Sequence, residues 1–341
     1  MYLLPIVLIP LLSLFLHDAK SAFFFFYSLV GLFVCSFLVK KFRFRYEFIY
    51  ILFLYVFIPI SISSYILGKH SDFGFKLVYI PLSENDWKIN VIAWDTSIHD
   101  TMMLGFFIFI VAFYRIMKCQ SKQVRDYLFL ILGLYFIVFS GARGGYLSLL
   151  AILLLFYVNR NRMRKYISWF ILCIFLSFVY FIDIFVVLIN NLVSNPVLRL
   201  FLKLDNINSS SGITSGRFWL WNYHLDLFLS SNLRGVGKNN INFEIGDVTN
   251  TGEVAKAVTE SPATFMLAAY GLLGVILLIL YLYMFNYTLK KNSLFGVMLM
   301  GMAITIFCGS GINLFRYIDS FTFLFLLMYF SSVNPHFNKN W

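Results

Sequence analysis

Two arginines stand where a guanidinium is hard to place without a partner. Arg143 lies in Ser140-Gly141-Ala142-Arg143-Gly144-Gly145, a short break between two hydrophobic runs. A charge left in an apolar medium is costly, so Arg143 must reach water, headgroups or an anion. Gly144 and Gly145 beside it let the backbone turn tightly. It is either an interfacial anchor that snorkels or an anion site at the mouth of a cavity. Arg217 follows Ser215-Gly216 at the start of a predicted helix. A cation at that end opposes the helix dipole unless an anion sits close by. Arg199, Lys203, Arg234, Lys238 and Lys256 add positive charge to the same segment.

Proton-transfer candidates are few. Glu260-Ser261-Pro262 opens an apolar run, and Ser followed by Pro is the ordinary grammar of a helix N-cap and first turn. Glu260 belongs to that cap or serves as general base on a substrate hydroxyl, provided its surroundings raise its pKa. His224 shares a helical face with Arg217; it is a second base candidate or a hydrogen-bond donor to an anion, or an imidazole that satisfies a local hydrogen bond. Asp183, inside an apolar run, should face a bundle interior and pair with an arginine or line a cavity. Glu84-Asn85-Asp86 could be an acidic metal-binding pair, but two acids in a solvated loop are common and it is read as that. Cys35, Cys119, Cys173 and Cys308 show no metal-ligand spacing and offer no outward pair for a disulfide, so no metal or cofactor is expected.

The elements that must hold these residues follow from hydropathy. The chain has 341 residues, 60% of them hydrophobic and 13% charged, with a mean hydropathy of +0.80. One soluble core cannot hide so much apolar surface. Apolar runs long enough to cross a bilayer as helices recur near 2–16, 21–39, 47–67, 101–117, 127–142, 144–158, 167–192, 262–286, 293–314 and 318–333. An all-α polytopic membrane protein of about ten spans is expected. The first run has no basic start or small-residue cleavage site and reads as a retained helix.

The net charge of +11 is sorted by loop rather than gathered on one surface, which argues against nucleic acid as the partner. Lys40, Lys41, Arg43 and Arg45 follow the second run. Arg115, Lys118, Lys122 and Arg125 follow the fourth, Arg160, Arg162, Arg164 and Lys165 the sixth, and Lys290 and Lys291 the eighth. These loops hold only the acids Glu47 and Asp126, so the positive-inside rule puts them and both termini in the cytoplasm. Runs one to seven, over 1–192, then carry an outward loop near 68–100. A second outward loop, 193–261, is the expected working part, followed by runs eight to ten and the C-terminus over 262–341. In the predicted helix 215–230, Arg217, Trp221, His224, Leu225 and Phe228 share one face, as in a helix lying on a membrane surface.

Ser140 to Gly144 between two spans, Ser215-Gly216-Arg217 with Trp219 and Trp221, Gly235-Val236-Gly237, and Glu260 to Leu267 followed by Tyr270-Gly271-Leu272-Leu273-Gly274 stand in one order. In that order and on that side of the membrane they resemble the O-antigen ligase and polymerase superfamily, over residues 127 to 286. Ligases of the superfamily typically carry a histidine where this chain has Glu260, eleven residues before Gly271, and the departure favours the Wzy-type polymerase. The resemblance implies a GT-C-like glycosyltransferase in the bacterial inner membrane with a periplasmic active site. Its donor and acceptor would be oligosaccharide repeat units on undecaprenyl diphosphate, within reach of membrane lipids and of a chain-length regulator and a flippase. It further implies Arg143, Gly144, Arg217, Arg234 and Lys238 around the diphosphate, Glu260 and then His224 as base, and Trp221 and Asp183 as supports. The alternatives are a ligase acting on lipid A-core, a flippase for the lipid-linked unit, and a structural partner of an export complex.

Overall fold

A computed structural model describes residues 30–31, 33–41, 48–57, 59, 75–81, 88–94, 98–118, 123–139, 143–160, 165–180, 217–237, 241, 244–245, 255–256, 262–309 and 320–333. These residues are mainly helical. In chain order the helices are α1 (Phe48–Leu52, continued by a π turn, Phe53–Phe57), α2 (Ile98–Lys118), α3 (Val124–Phe139), α4 (Arg143–Arg160) and α5 (Lys165–Tyr180). They continue with α6 (Arg217–Ser230), α7 (Pro262–Tyr270), α8 (Leu272–Lys290), α9 (Leu294–Gly309) and α10 (Ser320–Val333).

Two antiparallel hairpins qualify the all-α expectation, and both fall in the long polar loops. One pairs β1 (Phe75–Pro81) with β2 (Lys88–Trp94), Phe75 facing Trp94 and Pro81 facing Lys88. The other is a minimal pair, β3 (Glu244–Ile245) with β4 (Ala255–Lys256). Alternating β-branched and aromatic residues in Phe75–Pro81 and Lys88–Trp94 suit a pleated strand, and hydropathy windows tuned to helices pass over them.

Helix α9 is the hub, touching α2, α4, α5, α7, α8 and α10. Its side chains are buried from Leu294 through Thr305, as befits a helix apolar on every face. Several hydroxyls inside the bundle are matched. The hydroxyls of Thr305 on α9 and Ser148 on α4 meet at 2.8 Å, and Ser293 Oγ donates to the Ser332 carbonyl at 2.8 Å. Helices α2 and α3 approach so closely that a Cβ added to Gly105 would lie 2.9 Å from the Gly133 carbonyl oxygen. Small residues permit that backbone contact, as in helices that associate without a hydrophobic driving force.

The outward faces reverse the pattern of a water-soluble bundle. Val124, Tyr127, Leu128 and Ile131 on α3, Leu150, Leu153, Leu154 and Tyr157 on α4, and Leu272, Ile276, Ile279 and Tyr283 on α8 are exposed at helical spacing. Meanwhile Ser148, Ser168, Thr288, Ser293 and Thr305 are buried. Among the described residues, α8, at 19 residues, is long and apolar enough to cross a membrane; the apolar stretches within α4, α5, α9 and α10 are shorter. The expected first run and the second halves of the third and seventh lie outside the described residues.

Two sequence expectations are corrected. The run 262–286 is not one helix: it breaks at Gly271 into α7 and α8. Asp126 is not a loop acid. It sits in the first turn of α3 and accepts a hydrogen bond from Arg115 Nε at 2.9 Å, with side-chain exposures of 1% and 7%. Arg115 is thus committed to a buried pair that ties the end of α2 to the start of α3.

Candidate functional site

The break at Gly271 and the turn after α6 form one interlocked unit. Helix α6 ends when Asn232 adopts a left-handed conformation, φ 52°. The Leu233 N–H reaches back to the Phe228 carbonyl and the Asn232 N–H to that of Leu229, both at 3.1 Å. This pair of bonds is a Schellman closure, for which asparagine substitutes for glycine at modest cost. Ser231 then folds the chain back: its hydroxyl donates to the Phe228 carbonyl at 2.8 Å and accepts the Gly235 N–H at 2.9 Å.

The returning strand of this turn serves the open ends of α7 and α8. A helix leaves its last carbonyls and first amides without partners. Here the Val236 N–H donates to the Ala268 carbonyl at 2.8 Å and the Gly237 N–H to that of Ala269 at 3.1 Å. The first amide of α8, Leu272 N–H, donates to the Leu233 carbonyl at 2.9 Å. A helix interrupted in an apolar stretch is tolerated only if its freed backbone groups find such partners.

Glycine makes the approach possible at two positions. Gly271 has φ 57°, and a Cβ there would fall 2.3 Å from the Leu233 carbonyl oxygen. Gly235 has φ 79°, and its Cβ would fall 2.6 Å from the Gly271 amide nitrogen. Both need the left-handed region that only glycine enters without strain, and both sit backbone against backbone.

A side-chain contact pins α6 to α7. His224, 1% exposed, places Nδ1 3.0 Å from Thr264 Oγ1, and its ring meets Phe265 edge-on at 5.9 Å between centroids. Burial lowers its pKa to about 4, because the charged imidazolium is disfavoured away from water. The ring is neutral at ordinary pH and brings no positive charge to a diphosphate. Trp221, one turn earlier, is 4% exposed. The face expected to lie on a membrane surface therefore lies, at Trp221 and His224, against protein. Leu225 and Leu229 point outward instead.

Arg143 is the first residue of α4 and Arg217 the first of α6. Gly144 is thereby inside the first turn of a helix rather than in the break, as is Gly145. Gly145 gives α2 room instead, since a Cβ there would lie 2.8 Å from Met102 Sδ. The break before α4 is bridged by Tyr146, whose hydroxyl donates to the Val138 carbonyl near the end of α3 at 2.8 Å. Arg234 is exposed on the turn. Its backbone, not its side chain, meets Gly271. Lys238, Glu260, Ser261 and Asp183 lie outside the described residues. Among the described residues no three His, Cys, Asp or Glu side chains cluster as metal ligands would.

The structure thus joins Trp221, His224, Arg234 and the Gly235-Val236-Gly237 turn to α7 and α8. Helix α4, which Arg143 begins, meets this unit through α9. Sequence reasoning missed Thr264, Ser231 and the break at Gly271. A glycine at 271 followed by another at 274 was the signal for the break, because a Cβ at Gly274 would fall 2.3 Å from the Met266 carbonyl oxygen, where α8 folds back on α7. No family model, curated protein or solved structure matches the chain.

Proposed function

We propose that this protein is a membrane-embedded glycosyltransferase of the O-antigen polymerase type. It joins oligosaccharide repeat units carried on undecaprenyl diphosphate at the periplasmic face of the inner membrane. One observation carries the reading. Gly235-Val236-Gly237 and Tyr270-Gly271-Leu272, segments of the resemblance more than thirty residues apart in sequence, are in direct backbone contact. A large polar loop latched onto a broken helix is a means of building a polar site at the edge of an apolar bundle.

The apolar outward stripes with buried hydroxyls support lipid as the surrounding solvent, since no aqueous bundle gains by that arrangement. Sorted cations support cytoplasmic termini and about ten spans.

In the reaction, an acceptor sugar hydroxyl attacks the anomeric carbon of the donor glycan. The new glycosidic C–O bond forms as the bond to the diphosphate breaks, with inversion, and undecaprenyl diphosphate leaves. Arg143 and Arg217 stabilise the charge that grows on the departing phosphate oxygens. Arg234, exposed on the latch, and Lys238 supplement them. Glu260 takes the hydroxyl proton. His224 ranks behind it, because a buried, neutral ring bonded to Thr264 is better suited to docking α6 than to receiving protons from substrate.

The test is the lipopolysaccharide ladder of a deletion strain, complemented with the parent or with Arg143→Ala, Arg217→Ala or Glu260→Gln. Deletion should reduce the ladder to core bearing a single repeat unit, and each variant should lengthen chains at least about tenfold more slowly while inserting normally. Lipid-linked polymer that never reaches the core would identify a ligase. Loss of every periplasmic repeat unit would identify a flippase. Parental chain lengths from correctly inserted arginine variants would remove the diphosphate roles.

A further inference from the structure

Away from the latch, a groove of about 520 Å³ opens between helical residues 33–40, the second half of α8 and the end of α10. That volume lies within the range of roughly 300–1,000 Å³ typical of small-ligand sites. Its α8 wall is one face: Leu280, Tyr283, Met284 and Tyr287, at offsets of 3, 4 and 7. From Tyr287 to Leu280 it descends about 10 Å along the helix axis, at 1.5 Å per residue. The shallow end is polar and cationic. Lys40 lines it, Lys291 sits 5.5 Å over the Tyr287 ring, and Lys290 ends α8. The deep end is apolar, and among the described residues lining the groove there is no carboxylate.

We infer that this groove binds an anionic glycerophospholipid of the cytoplasmic leaflet, its phosphate between Lys40 and Lys291 and one acyl chain running past Tyr287 and Tyr283 towards Leu280. The polarity gradient follows that of a single lipid from headgroup to mid-leaflet, and tyrosines stand at the level where amphipathic rings favour the interface. Lysines at a cytoplasmic membrane surface attract anionic lipid with about 1 kcal/mol each. A second copy of this chain is a poorer occupant, because it would bring a second set of these lysines against the first. The inference rests on the membrane reading of α8 and not on glycosyl transfer.

The full-length protein in phosphatidylcholine nanodiscs, doped with phosphatidylglycerol or phosphatidylcholine bearing an acyl diazirine, gives the test. On photolysis, the phosphatidylglycerol probe should label peptides containing 280–287 and 329–333 well above the phosphatidylcholine probe. Lys40→Gln and Lys291→Gln should each cut that labelling about fivefold, the loss expected from 1 kcal/mol. Leu280→Trp, which narrows the deep end while staying apolar, should cut it as well without changing the monodispersity of the protein. Equal labelling by both probes, labelling spread evenly over the exposed stripes of α3 and α4, or chain-to-chain cross-links at the groove would each overturn the inference. Release of the chain from membranes by alkaline carbonate would overturn the membrane reading and this inference together. A normal lipopolysaccharide ladder in the deletion strain would overturn only glycosyl transfer, since lipid labelling is measured independently of it.

Discussion

The latch at Gly271 and the contact between the end of α2 and the start of α3 fasten neighbouring helices by opposite means. At the latch, main-chain amides and carbonyls do the fastening, and the key residues contribute by having no Cβ. Between α2 and α3 a side-chain ion pair fastens, Arg115 to Asp126, with both groups nearly removed from solvent. A junction of the first kind tolerates changes in side-chain chemistry and fails on added volume. The second kind fails on lost charge and tolerates apolar replacement of both partners. Of the two junctions, the latch is the one within the candidate site, and its geometry is correspondingly independent of protonation except at His224.

The most damaging change should be Gly271→Val, which puts a branched side chain at positive φ into the Leu233 carbonyl. A loss of more than about 5 kcal/mol is expected from strain and backbone overlap, with undocking of the 231–237 turn and, on the proposed function, collapse of the polymer ladder. Limited proteolysis at the turn, compared with the parent, checks it. Unchanged protection would mean that the latch does not hold the loop.

Next in size is Asp126→Ala, which leaves Arg115 buried without its carboxylate and should cost about 3–5 kcal/mol in thermal or denaturant unfolding. Pairing Asp126→Leu with Arg115→Met should recover most of that loss. A double variant as unstable as the single one would show that the pair does more than neutralise itself. Asp126 Oδ2 has no hydrogen-bond partner among the described residues, so an apolar group there leaves no new acceptor to satisfy.

The smallest effect concerns His224 and sharpens the contrast, because it alone makes the latch sensitive to pH. Its folded pKa of about 4 lies below the usual 6.5. The unfolded chain therefore binds more protons between those values, and stability falls as pH drops from about 6.5 towards 4. The loss is at most roughly 3 kcal/mol, and above pH 6.5 the full contribution is present. His224→Gln, which can keep a hydrogen bond to Thr264, should flatten the difference between unfolding at pH 7 and pH 5. An equal pH slope in the variant would assign the effect elsewhere.

Much of this fold is legible in the sequence, for identifiable reasons. Ser261-Pro262 announced the start of α7 because proline fits only the first turn, and the helix expected over 215–230 forms from Arg217 to Ser230. Runs near 101–117, 127–142, 144–158, 293–314 and 318–333 each contain a helix because their apolar stretches are bounded by charge or glycine. The break at Gly271 was hidden, since its flanks are as apolar as any uninterrupted span and its satisfying partners lie in a distant turn. The pairing of His224 with Thr264 is separated by forty residues and obeys no local period. The burial of Asp126 against Arg115 is invisible in sequence because a charge tally cannot distinguish a solvated acid from one held by a neighbouring helix. Gly144 looked like turn chemistry because a glycine pair more often ends a helix than begins one.

The contact between Ser148 and Thr305 spans 157 residues, and this has a consequence for biogenesis. At about 5–20 residues per second, α4 leaves the ribosome roughly 10–30 s before the helix that will cover it exists. During that interval Ser148 and its neighbours face whatever else the insertion machinery offers. The bundle closes only after α9 is made, so nascent chains truncated before residue 294 should remain bound to insertases and be the first species that quality-control proteases remove.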